Sequence, residues 1–138
     1  MATTIAKPQT LFGKRIRRQE DPRLITGTAL YLDDLKMPGM HHACVVRSPH
    51  GAAKIKSIDT AAALATPGVA AVFTGADIKD LGAVPCAASI AGLRVPHHHL
   101  LAQDRVYYVG HPVAVVVATD RYIARDAADL VEVEYEPL

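Results

Sequence analysis

The sequence has 138 residues, half of them apolar, with 15 Lys and Arg set against 14 Asp and Glu. That is the length of one domain, and a net charge of +1 leaves no electrostatic footprint for nucleic acid or an anionic membrane surface. Two cysteines without C-x-x-C spacing, no tryptophan and 5% aromatic residues point away from a disulfide scaffold and toward a core of small and β-branched side chains.

In chain order, residues 1–18 read as an extended arm. They are polar, lack periodicity and carry Pro8 and Gly13, so order there needs a partner surface. The start, MATTIAKPQT, has no apolar region, and charged residues follow the Arg17-Arg18 pair. Neither a secretory nor a twin-arginine signal fits. The basic run from Gly13 to Arg23 already contains Glu20 and Asp21 and reads as a solvated or docking face. The apolar run Pro112 to Ala118 is too short to cross a bilayer. A soluble, cytoplasmic chain follows, with residues 19–138 as its folded domain.

Between the turn signals at Gly27 and Pro38-Gly39, ALYL (29–32) is a short strand candidate. HACVVRS (42–48) and AKIKSI (53–58) are further strands, the latter alternating apolar residues with lysine. Asp59 is placed to cap the alanine-rich helix that Pro67 and Gly68 end. VAAVFT (69–74) reads as a buried strand and residues 80–100 as a surface loop. RVYYV and VAVVVA, around the turn at Gly110 to Pro112, carry a hairpin signal. The segment 119–131 is helical, with Thr119 or Asp120 as cap and Ile123, Ala127 and Leu130 on one face. The last stretch, VEVEYEPL, alternates Val131, Val133 and Tyr135 with Glu132, Glu134 and Glu136, as a half-buried strand does. Single helices among more numerous strands predict an α+β fold, a mixed sheet with short helices packed on it.

Candidate chemistry is sparse. His97, His98 and His99 are consecutive, so only His97 and His99 face one side of an extended chain. His41, His42, His50 and His111 could join them in space, but no spacing matches a zinc pattern. A polar loop is the default reading and a metal-binding module the alternative. Ser48 and His50 lie in RSPHG, outside any nucleophile-elbow context, and read as turn residues. Glu132, Glu134 and Glu136 share one strand face, which should be wet. Cys44 reads as a small buried apolar residue. No glycine motif that cradles phosphates is present in the sequence. These patterns assign no catalytic, cofactor-binding or metal-ligating residue.

Several stretches together resemble one family. ITGTALYLDDLKMPGM, VVRSPHGAAKIKSIDTAAALATPGVAAVFTGADI and VYYVGHPVAVVVATDRYIARDAADLVEVEYEPL, over about Thr26 to Leu138, are similar to the first domain of the molybdenum hydroxylase large subunit. This is the xanthine dehydrogenase and aldehyde oxidase family. The wording of the last block leans toward its aerobic carbon monoxide dehydrogenase branch. The resemblance implies the α/β-hammerhead fold and a place in an enzyme that hydroxylates aldehydes or N-heterocycles, or oxidises carbon monoxide, with water as oxygen source. It implies a molybdopterin cofactor carrying molybdenum in the complete enzyme, with iron–sulfur and FAD centres on partners. It implies the remainder of the large subunit as the immediate partner. The family's pterin-binding and catalytic motifs match no position here, so the resemblance assigns this chain a scaffold role and no site residue. Lys54 stands where relatives often carry an arginine, which keeps the charge but not the forked hydrogen bonding. On this reading VEVEYEPL is a seam rather than a terminus. A stand-alone binding or assembly module is the alternative.

Overall fold

In the computed structural model, which describes residues 12–88 and 90–138, the chain divides after Met37 into two compact units. The first eleven residues of the expected arm, with Ser89, lie outside the described residues. In the first unit, 14–18 is neither helix nor strand. Asp21–Ile25 then forms a single helical turn, α1, with Pro22 in its opening turn. The Thr26 hydroxyl ends it by donating to the Pro22 carbonyl at 2.6 Å. The strand expected over 29–32 is not formed. Leu32–Asp34 makes a 3-10 turn instead, and the Tyr31 N–H donates to the Asp34 carboxylate at 2.9 Å. A local acceptor thus takes a donor that a strand would offer to a neighbour.

Among its described residues the second unit holds six strands: β1 (His42–Arg47), β2 (Ala53–Asp59), β3 (Val69–Thr74), β4 (Arg105–Val106), β5 (Pro112–Ala118) and β6 (Glu132–Pro137). They form two three-stranded sheets, β1-β5-β3 and β4-β2-β6, and every pairing is antiparallel. The α+β architecture is as expected, but the strands divide between two sheets. Apolar β5 becomes the centre of one, with Val116 opposite both Cys44 and Val72. Half-polar β2 is the centre of the other, with Ile58 opposite Val133.

Helices α2 (Ala61–Leu64) and α3 (Arg121–Ala128) connect the sheets. The Asp59 carboxylate accepts the Ala61 N–H at 2.9 Å, so it serves the start of α2 while remaining the last residue of β2. Asp120 caps α3 by accepting the Tyr122 N–H at 2.7 Å. The buried face of α3 is Ala124, Ala127 and Ala128, not the face through Leu130. The helix stops at Ala128, and Leu130 lies beyond it in a tighter turn, 45% exposed. Alanine on that face lets the helix backbone approach the sheet closely.

One apolar cluster joins Ala63, Ala114, Val116, Ala127, Ala128 and Val131 between the helices and the first sheet. A second joins Ala53, Ala102, Val106 and Val113. Ile58 and Val133 touch both clusters and so tie the two sheets together. Fully burying a valine contributes roughly 1.5–3 kcal/mol, and Val113 and Val116 are both at 0% exposure. Cys44 is half-buried against the first cluster.

The hairpin expected around Gly110 is not formed. β4 pairs with β2 and β5 with β1 and β3, in different sheets. The Ser48 N–H donates to the His111 carbonyl at 2.9 Å, and the Gly110 N–H donates to the Ser48 carbonyl at 2.8 Å. Gly110 and His111 are thus tied to Ser48 in the β1–β2 connection, and residues 107–111 carry the chain from one sheet to the other.

Candidate functional site

The loop of residues 82–100 is closed at its base by a bridge between Ala83 and His99 and by the Val84 N–H donating to the His98 carbonyl at 2.8 Å. This fixes the three histidines beside the crossover that follows β4. His97 and His99 do share a side, with ring centroids 4.4 Å apart and edge-on, as alternation requires. His98 turns the other way. Its ring lies nearly parallel to those of His111, at 5.8 Å, and Tyr108, at 6.3 Å. Tyr108 and His111 stack at 4.5 Å with planes 18° apart. His97, His98, Gln103, Arg105, Tyr107 and His111 are among the residues lining a cavity of about 220 Å³.

His111 is the most constrained of these groups, at 3% exposure. The Tyr107 N–H donates to its Nδ1 at 3.3 Å, so the neutral ring carries its proton on Nε2. That nitrogen is buried without a hydrogen-bond partner among the described residues. Burial, and secondarily the neighbouring His98, hold the imidazole pKa below its ordinary value of 6.5. The stack of Tyr108 on His111 has no sequence signature beyond two tyrosines before a Gly-His-Pro turn. Only the crossover brings it together with His98.

The other candidates separate. His41 bonds the Gly39 carbonyl at 2.9 Å, and the His50 ring lies 4.9 Å from that of Tyr135. The Ser48 hydroxyl donates to the His50 carbonyl and accepts the His50 N–H, at 3.1 and 3.0 Å. It serves the backbone of a turn, as the RSPHG pattern suggests, and does not engage the His50 ring. Glu132, Glu134 and Glu136 are all exposed. Glu134 and Glu136 face Lys56 and Lys54 across β2 at 3.6 and 3.9 Å. Such half-exposed pairs are worth little. Asp77 caps the end of β3, accepting the Thr74 N–H and hydroxyl at 2.7 Å each.

Among the described residues no group of three or more His, Cys, Asp or Glu is disposed to hold a metal ion. Most of the glycines stand at open turns with nothing within 4 Å of an added Cβ. The donor set of the described residues thus offers no ligand group for the molybdenum of a molybdopterin. Among the described residues no helix is long and apolar enough to cross a membrane.

Residues 26–138 match the family model described as aldehyde oxidase and xanthine dehydrogenase, a/b hammerhead domain. The chain belongs to this hammerhead family. The large subunit of nicotine 6-hydroxylase from Paenarthrobacter nicotinovorans is 47% identical over 94% of the chain. The carbon monoxide dehydrogenase large chain of Afipia carboxidovorans is 48% identical over 91%. The crystal structure of quinoline 2-oxidoreductase from Pseudomonas putida 86 superposes with a TM-score of 0.83 at 45% identity, over 91% of the chain. The chain spans only 15–16% of the length of these relatives.

Proposed function

We propose that this chain is the hammerhead scaffold of a molybdenum hydroxylase large subunit. The observation that supports the reading is the family match across residues 26–138, joined to relatives that are oxidoreductase subunits some six times longer. In this reading molybdopterin and its molybdenum are held by the remainder of the large subunit, with iron–sulfur and FAD centres on partner subunits. The reaction is hydroxylation of an N-heterocycle or aldehyde, or oxidation of carbon monoxide, with water as oxygen source, in the cytoplasm. The chain's own residues supply folded surface, not chemistry. Its most organised polar cluster, around His111, is closed by ring stacking, which suits a structural crossover better than a reaction centre.

The test is purification of the chain under native conditions from its own host. Molybdenum by elemental analysis, flavin by absorbance and partner sequences by mass spectrometry are the readouts. The expected result is co-purification with a molybdopterin-binding polypeptide. A stable monomer free of metal, flavin and partner would sink the reading and leave a stand-alone binding module.

A further inference from the structure

Opposite residues of antiparallel strands share a sheet face, so the register of the β1-β5-β3 sheet sorts its side chains without ambiguity. Cys44, Val72 and Val116 lie on one face, under α3. The other face carries Val45, Val115 and Phe73 in one row and Ala43, Val117 and Ala71 in the next. None of these belongs to either apolar cluster. Ala43 and Phe73 are exposed, Phe73 at 43%, and the rest are half-buried. At the β5 end the face runs into the second cluster through buried Val113. The nearest charge along β1, Arg47, is held at the strand end by donating to the Gly110 carbonyl at 2.9 Å.

The geometry points to this face as the seat for an apolar, uncharged segment of the polypeptide that makes up the remaining five-sixths or so of the large subunit in relatives. The inference rests on the proposed function and adds the docking surface to it. A charged group laid on these rows would lose its water without gaining a partner, which limits the occupant to apolar chemistry. A centre made only of alanine, valine and phenylalanine is the composition of a permanent interface, where charge is depleted at the core, rather than of a transient one. The further length of the relatives offers a permanent partner, and the β4-β2-β6 sheet has no equivalent: its β6 face carries the exposed glutamates.

The experiment places the photoreactive p-benzoylphenylalanine at position 73, and separately at position 134, in the chain expressed in its own host. Irradiation of the native preparation is followed by mass spectrometry of the crosslinked peptides. Crosslinks from position 73 into apolar peptides of the molybdopterin-binding polypeptide, with few from position 134, are expected. Phe73→Glu should reduce co-purification of that polypeptide by roughly tenfold or more, while the variant chain keeps its circular dichroism and unfolding midpoint. Crosslinks only to a second copy of this chain overturn the proposal in favour of a homodimer face. Equal crosslinking from both positions, or undiminished co-purification of Phe73→Glu, also overturns it, while the proposed function stands. If no such polypeptide co-purifies with the unaltered chain, the proposed function fails first and the docking proposal with it.

Discussion

Gly75 lies so close to the Ala102 carbonyl that a methyl group on it would overlap the carbonyl oxygen and sit 2.9 Å from its carbon. This contact joins the end of β3 to the segment that leads into β4, and so holds the first sheet against the second cluster. Ala102 is itself buried and donates its N–H to the Pro112 carbonyl at 2.8 Å, so its backbone has little room to retreat.

Gly75→Ala is therefore expected to destabilise the chain by about 1–3 kcal/mol, the usual cost of overpacking. Gly110→Ala is the comparison. Its φ of 87° strains a side chain, but nothing lies within 4 Å of an added Cβ. Its cost should be about 1 kcal/mol. Urea unfolding of both variants checks the order, and a milder effect at Gly75 than at Gly110 would contradict the packing described.

His111 sets a pH dependence. Its pKa is lowered in the folded chain, mainly by burial and then by His98, so the unfolded chain binds its proton first. Stability is whole above the ordinary value of 6.5 and declines as pH falls from there through the folded pKa. Asp77 is also lowered, by the Thr74 N–H and then the Thr74 hydroxyl, and its contribution is lost only as pH falls below 3.8. The unfolding free energy should thus fall in two separate windows. His111→Gln should flatten the upper one and leave the lower. Identical pH profiles for the variant and the parent would exclude His111 as the cause.

Val116 and Val117 are neighbours on β5 with opposite fates. Val116 is buried in the first cluster, and Val117 is half-buried on the uncovered face. Val116→Ala should cost roughly 2–3 kcal/mol, because a cavity adds to the lost transfer energy. Val117→Ala should cost at most about 1 kcal/mol in the isolated chain. Thermal unfolding of the pair reads out the face assignment, and comparable losses would mean that both faces are packed.

The histidine loop gives a negative prediction. Titration with zinc or copper should show only weak binding, equal in the parent and in the His97→Ala, His99→Ala double variant. The reason is that His97 and His99 share a side but, among the described residues, no third ligand stands with them. Stoichiometric, tight binding that the double variant loses would establish a metal site.

The sequence by itself determined those elements whose pattern is carried by neighbours along the chain. The alternation of Val133 and Tyr135 with the glutamates gives β6, with its glutamates exposed. The apolar run of β5, the Asp120 cap of α3 and the Ser48 turn are likewise local, because each depends on periodicity or on a side chain reaching its own backbone. What the tertiary structure decided is how strands are shared between sheets. RVYYV and VAVVVA look like a hairpin because a turn separates two apolar runs, yet Ser48, sixty-odd residues before the turn, takes the backbone groups of Gly110 and His111 and sends the strands into different sheets. ALYL has strand composition but forms a 3-10 turn at its end, because Asp34 offers Tyr31 a near partner. The stack of His98, Tyr108 and His111 and the uncovered face of β1-β5-β3 exist only once strand register is set. Register is a contact between distant segments, and periodicity along one segment cannot specify it.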